Sequence, residues 1–287
     1  MKVAITGAGG RLGSQTVREL VEAGFDVVGT DRRDNPHLPV KLHVLDLLDP
    51  PAVSGVVKGA QAVVHLANHA GPHNRLQAQT FNENVAMDMN VFQAALETGA
   101  RKVIFASFIQ AMASEWVDSQ PDQQPHKVAY LPMDGDSPAH PTNTYALSKA
   151  VGEAMLRDFV ARPGMDCVAL RFPMLTGLDH LRRWHRRPQS PLGQASPVWI
   201  GQGFGYLTFA DAARLIHAIL KSSLPGFRIY LPALSFSDGP ILPEYVKAYY
   251  AGVPLRKPLE QMTSLIDISR IARDTGWSPQ DRTEPRP

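Results

Sequence analysis

Cysteine is almost missing: Cys167 is the only one in 287 residues. A single thiol forms no internal disulfide and builds no cysteine-rich zinc site, so a reducing compartment, the cytoplasm, is expected. Long apolar runs are missing too. None approaches the roughly 20 residues of a membrane-spanning helix. The start Met1-Lys2-Val3-Ala4-Ile5 meets glycines too soon to be a signal-peptide core. No membrane contact is expected. Nor is there an excess of one charge: 29 Lys+Arg against 27 Asp+Glu leave +2, which supplies no broad basic field for nucleic acid. What is present is ordinary for a globular chain, 44% hydrophobic and 20% charged residues. The length suits one large α/β domain, or one with a small lobe.

Short apolar runs alternate with helix-like stretches through the first half. Val3–Thr6, Val27–Thr30, Val44–Leu45, Ala62–Leu66, Val103–Ala106 and Cys167–Phe172 read as strands. Gly13–Ala23, Phe81–Thr98 and Tyr145–Ala161 read as helices. In the second of these, Val85, Met89, Phe92 and Leu96 share one face at helical spacing. Strands alternating with helices predict right-handed crossovers and a parallel sheet covered on both faces. The second half is less regular. His180–Pro197 reads as loop or short helix. Phe209–Lys221, Pro243–Tyr250 and Asp267–Thr275 read as helices, Arg228–Leu231 as a strand, and no internal repeat is found.

The segment Gly7-Ala8-Gly9-Gly10-Arg11-Leu12-Gly13 joins the first strand to the first helix. Glycines at 7, 10 and 13 suit a tight turn, close approach of a pyrophosphate, and close helix–strand packing. The helix start then offers unpaired N–H groups and a positive dipole end to phosphates. Asp31 ends the second strand, where a carboxylate bonds both ribose hydroxyls of an adenosine and repels a 2′-phosphate. That favours NAD. Arg32 and Arg33 follow at once, and either guanidinium could pair with the 2′-phosphate of NADP.

Tyr145-Ala146-Leu147-Ser148-Lys149 places a phenol and an ammonium one turn apart on a helix. With the glycine loop, this resembles the extended branch of the short-chain dehydrogenase/reductase superfamily, the NAD-dependent epimerase/dehydratase family. That branch includes uronate dehydrogenases similar to this chain in size. Val63-Val64-His65-Leu66-Ala67, Leu170-Arg171-Phe172-Pro173, Tyr206 through Ala213, and Gly276-Trp277-Ser278-Pro279 resemble later segments of the family. The resemblance implies a Rossmann-type doubly wound parallel sheet over 1–172, rejoined by 207–232, and a small C-terminal substrate lobe over 173–287. It implies a dinucleotide held by Gly7, Gly9, Gly10, Arg11, Leu12, Gly13, Asp31, Arg32, Asp46, Leu47, Leu66, Ala67, Asn84, Tyr145, Lys149 and Pro173. Asn68, His69, Phe108, Met174 and Arg183 fall on the substrate side.

The implied chemistry is hydride transfer coupled to proton transfer on a secondary alcohol or ketone, plausibly of a sugar. Tyr145 is the acid/base, and Lys149 lowers its pKa and holds the nicotinamide ribose. One element departs from the family. Its fifth strand ends in two hydroxyl residues, whereas this chain reads Phe105-Ala106-Ser107-Phe108-Ile109-Gln110. Three readings stay open: Ser107 serves after a one-residue shift, Gln110 supplies the polarising donor, or the chemistry is weakened or lost. The last makes the chain a dinucleotide-binding sensor or scaffold. Phe108, Ile109 and Met174 offer a polar sugar acid few partners, which points to a less polar substrate or other binding groups.

Arg182, Arg183, Arg186 and Arg187 surround Trp184 and His185, either as a clamp for phosphate or carboxylate or as a solvated loop. His69 and His73 follow the fourth strand without the carboxylates of a metal site. His65 reads as a satisfied core histidine. By the resemblance, two copies pair through the helices near 81–98 and 145–161 as a homodimer. Met87, Val91, Ala94, Ala150, Ala154 and Met155 would then lie at the contact.

Overall fold

The computed structural model describes residues 1–70, 76–112, 128–161, 164–185, 195 and 197–281. The chain lays down β1 (Lys2–Thr6), α1 (Arg11–Glu22), β2 (Asp26–Asp31), β3 (His43–Val44), α2 (Pro50–Val57), β4 (Ala62–His65), α3 (Gln77–Glu97), β5 (Lys102–Phe108), α4 (Thr144–Phe159) and β6 (Asp166–Phe172). There follow β7 (Met174–Thr176), α5 (Leu178–His185), α6 (Pro197–Gly201), β8 (Gly205–Thr208), α7 (Phe209–Lys221), β9 (Phe227–Tyr230), β10 (Leu234–Ser235), α8 (Leu242–Tyr249) and α9 (Ser269–Thr275).

Seven strands form one parallel sheet in the order β3-β2-β1-β4-β5-β6-β9, the doubly wound arrangement expected. Successive strand residues point to opposite faces, so Val3-Ala4-Ile5 feeds two cores. Val3 and Ile5 pack with Val17 and Leu20 of α1 and Leu215 and Ile219 of α7. Ala4 packs on the other face with Val53 of α2, Phe92 of α3 and Leu156 of α4. Strand order reverses between β1 and β4, which opens a crevice at the carboxyl ends of the strands.

The core face of α3 differs from the one its apolar spacing predicts. Asn84, Met87, Asp88, Val91, Phe92, Ala94 and Ala95 are buried, whereas Met89 is 41% exposed. On the inner face Asn84 and the Oδ1 atom of Asp88 find hydrogen-bond partners inside the fold, and a count of apolar positions passes over both residues. Met87, Val91 and Ala94 therefore belong to the core and are unavailable for the subunit contact expected of them.

A second sheet, β10-β8-β7, lies in the C-terminal part. Its strands are too short for a readable period, as is α2, so spacing found none of them. Beside this sheet, Ile109, Met133, Phe204, Leu242, Val246 and Leu265 form a further core. Thr208 caps α7 by accepting from Asp211 N at 3.0 Å. The buried Asp211 in turn accepts from Gln280 N and Asp281 N, at 2.8 and 2.9 Å, and its backbone carbonyl accepts from Trp277 Nε1 at 3.2 Å. The 206–213 and 276–279 segments are thus two halves of one clasp. Among the described residues, no helix is long and apolar enough to cross a membrane, and no group of three or more His, Cys, Asp or Glu could hold a metal ion.

Candidate active site

β1 runs directly into the glycine loop. Gly7 has φ +69°, and a Cβ there would lie 2.7 Å from Ala67 N. A Cβ on Gly13 would lie 2.0 Å from Gly7 O, so the start of α1 rests on the loop and only glycine fits. Gly10 caps α1 without a side-chain bond, which leaves the first-turn N–H groups of Arg11, Leu12 and Gly13 without a capping side chain. Asp31 closes the far side: its Oδ2 accepts from Gly9 N at 3.0 Å and its Oδ1 from Arg32 N at 2.7 Å. A cleft of about 180 Å³ runs from Gly7, Gly10, Asp31 and Arg32 past Leu47, Leu66 and Ala67 to Asn68 and His69. Asp46 is exposed between the lining residues Leu45 and Leu47 and caps Leu48 N at 3.0 Å. The cleft fits a dinucleotide: a cradle that no Cβ could share, open helix-start donors, and a fixed carboxylate at the end of β2.

α4 begins where Asn143 Oδ1 accepts from Ala146 N at 2.8 Å. Asn143 Nδ2 donates to Gln110 Oε1 at 3.1 Å, so Gln110 orients the first turn, which carries Tyr145. One turn on, Lys149 is 2% exposed. Its Nζ donates to Ala106 O at 2.7 Å and lies 4.6 Å from the Phe105 ring centroid. Burial lowers the Lys149 ammonium to about 8, against the opposing pull of Asp88 and Glu153. Burial, then the Asp88 carboxylate, pushes the Tyr145 phenol up. Desolvation of the phenolate is thus the dominant influence on Tyr145.

Ser107 is committed elsewhere. Its Oγ donates to Glu153 Oε1 at 2.6 Å, and Glu153 is gripped by Arg171 through Nε at 2.9 Å and Nη2 at 2.8 Å. Arg171 Nη1 also donates to Ser137 O at 2.6 Å. All four residues are buried. Phe108, next along β5, sets its ring 5.4 Å from that of Tyr145. Ser107 thus donates into a buried ion pair, and Gln110 Oε1 accepts from the residue that caps α4.

The profile of the NAD-dependent epimerase/dehydratase family matches residues 3–194. The chain belongs to this family. Among its relatives, the NAD-dependent glucose-6-phosphate dehydrogenase of Haloferax volcanii is 32% identical over 229 residues, 77% of this chain and 80% of that protein. The L-arabinose 1-dehydrogenase (NAD(P)(+)) of the same organism is 25% identical over 239 residues, 83% and 89% of the two chains. Among solved structures, a GalE-like L-threonine dehydrogenase from Cupriavidus necator superposes with a TM-score of 0.66 at 20% identity, covering 98% of this chain and 95% of that one; that likeness is one of fold. Membership makes the chain an enzyme of the NAD-dependent epimerase and dehydrogenase class.

Other residues that the family pattern singles out are placed as follows. Asn84 is fully buried; its Oδ1 accepts from His69 N at 2.8 Å and its Nδ2 donates to Ser148 Oγ at 3.2 Å. It braces the cleft wall against α4 and does not line the cleft. His69 Nε2 lies 2.6 Å from Glu83 Oε2. His65 is a satisfied core histidine, bonded on both ring nitrogens. Pro173 is buried beside Gly205. Ile109 is buried in the small-lobe core and lines no open surface, while Met174 packs against Leu181 and Tyr206. Arg182 and Arg183 are exposed on α5; Arg186, Arg187 and His73 lie outside the described residues. Spacing missed Asp88, Asn143 and Glu153. The signal for Asp88 was a charged residue one turn after Asn84 and beside the apolar Met87, Val91 and Phe92.

Proposed function

We propose that this chain is a dehydrogenase or epimerase that moves hydride between a nicotinamide dinucleotide and a secondary alcohol, or its ketone, on a sugar-type substrate. Tyr145 is the acid/base and Lys149 its partner. One observation carries this reading: α4 holds Tyr145 and Lys149 at the carboxyl end of β5, where Lys149 binds Ala106 O, on the same edge of the sheet as the glycine-lined cleft. When bound, the dinucleotide supplies the hydride donor or acceptor. Gly7, Gly10 and the α1 start hold its pyrophosphate, and Asp31 takes the adenosine ribose. That carboxylate favours NAD, and Arg32 is the group that would admit NADP. A raised phenol stays protonated at neutral pH, so Tyr145 gives its proton to a carbonyl oxygen in reduction and takes one back in oxidation. Two relatives named as sugar dehydrogenases support the substrate class. We divide the chain into a cofactor domain over 1–172, with 207–232 returning to it, and a substrate lobe over 173–287. Two copies pair through α3 and α4.

A second reading, dinucleotide binding with weak or no turnover, is favoured by Phe108, which packs on Tyr145 where the family has a hydroxyl. Titration with NAD and NADP, then absorbance at 340 nm for net oxidation or reduction and NMR of the sugars for epimerisation, over a panel of aldoses, aldose phosphates and nucleotide sugars, separates the two. Tighter NAD binding and turnover of one panel class are expected. Tyr145→Phe then loses roughly 10²-fold or more in rate and keeps its NAD affinity. Binding without turnover anywhere on the panel selects the second reading, and tighter NADP assigns the ribose site to Arg32 or Arg33.

A further inference from the structure

Behind the cleft runs a buried polar chain that the chemistry above leaves unused. Thr6 ends β1, His65 ends β4, and Asp88 sits midway along α3; all three are 0% exposed. Thr6 Oγ1 lies 2.6 Å from His65 Nδ1, and His65 Nε2 lies 2.9 Å from Asp88 Oδ1. A carboxylate only accepts, so Nε2 carries a proton. Thr6 Oγ1 also accepts from Ala67 N at 3.4 Å. Asn68, which lines the cleft, donates from Nδ2 to the same Oδ1 at 2.9 Å.

The other carboxylate oxygen is the informative one. Asp88 Oδ2 is buried with no hydrogen-bond partner among the described residues, a costly condition for a carboxylate. It faces α4, where a Cβ on Gly152 would lie 2.8 Å from it and 2.6 Å from Phe105 Cζ. Gly152 thus lets α3 and β5 close on α4 within one turn of Lys149. The Phe105 ring fills the same space, with His65 stacked 5.8 Å away at 29° and the Lys149 ammonium over it. The charged or titratable groups around Asp88 are His65 from β4 and Tyr145, Lys149 and Glu153 from α4. Of these, Lys149 carries an ammonium that the Asp88 carboxylate favours in its charged form.

We propose that Asp88 is a positioning residue of the active site: anchored by His65 and Asn68, its carboxylate holds the Lys149 ammonium in its charged state and couples the cleft wall to the catalytic helix. The role of Lys149 itself rests on the function proposed above. Burial alone drives the ammonium toward neutrality, and Asp88 is the larger of the two carboxylate influences that oppose this.

Asp88→Asn isolates the charge, because its amide oxygen still accepts from His65 and Asn68. Lys149 is titrated by NMR of protein carrying ¹³Cε-labelled lysine, its signal assigned by loss in Lys149→Met, with neither cofactor nor substrate present. The midpoint is expected to fall from about 8 by about one pH unit, a tenfold loss of proton affinity. A folded Asp88→Asn protein with an unchanged midpoint overturns the proposal; a purely structural Asp88 would lower Tm and leave the midpoint in place. If Asp88→Asn does not fold, Asp88→Thr, which keeps a hydroxyl acceptor, is read by the same criterion. Failure of the oxidoreductase reading appears separately, as absent turnover by the wild type.

Discussion

Lys149→Met should stabilise the protein at neutral pH while removing its activity, and the gain should vanish in alkali. Folding lowers the Lys149 ammonium from 10.5 to about 8, while the unfolded chain keeps the ordinary value. Between those limits the unfolded chain binds more protons, so stability rises with pH across that window; below about 8 the whole penalty of burying the charge is present. At 1.36 kcal/mol per pH unit the gap is about 3 kcal/mol. Methionine keeps a long unbranched chain without the charge, but Ala106 O loses its donor at a cost of about 1 kcal/mol. The net gain at pH 7 is about 2 kcal/mol, a rise in Tm of roughly 3 °C for a chain of this size. Thermal unfolding by circular dichroism at pH 7, 9 and 10.5 reads the effect. The difference between variant and wild type should shrink with rising pH and change sign once the wild-type amine is neutral. A difference constant over this range, or a variant less stable at pH 7, would refute the reasoning.

Other outcomes follow from single contacts. Gly13→Ala sets a Cβ against Gly7 O, a backbone atom that cannot swing aside; NAD affinity should fall about tenfold or more in a fluorescence titration, and wild-type affinity in a folded variant would count against the cleft. Glu153→Ala strands the Arg171 guanidinium, 3% exposed, and should cost about 3–5 kcal/mol in urea unfolding. Adding Arg171→Met should restore most of it, and a single-variant loss below about 1 kcal/mol would place the pair outside the structural core. Leu147, 42% exposed on α4, and Met89 on α3 are the large exposed apolar side chains of these two helices, beside the exposed Ala154. Leu147→Glu should turn a dimer into a monomer by light scattering, and a wild-type mass near 31.4 kDa at every dilution would end the dimer reading.

The glycine loop, the Tyr-x-x-x-Lys pair and the parallel sheet could be read before any coordinates, because each depends on neighbours in sequence. A tight βα turn needs glycines within one segment, a phenol and an ammonium meet one turn apart on a helix, and buried parallel strands need runs such as Val3-Ala4-Ile5. α7 was found at its observed bounds, Phe209–Lys221, since its apolar stripe is complete and its cap Thr208 adjoins it. Where polar residues are buried, the same reading went astray. Apolar spacing turned α3 toward Met89, and no sequence pattern tied Ser107 to Glu153. The partners that decide otherwise lie far along the chain: His65 is 23 residues from Asp88, and Ser107 is 46 from Glu153. A polar side chain enters a core only when a donor or acceptor meets it there, and that partner arrives by packing of another element. Sequence by itself therefore determined the glycine loop and the pairing of Tyr145 with Lys149 on one helix. Tertiary structure alone decided which face of α3 is buried, that Ser107 belongs to an ion pair, and that an unshared Asp88 oxygen faces the helix of Tyr145 and Lys149.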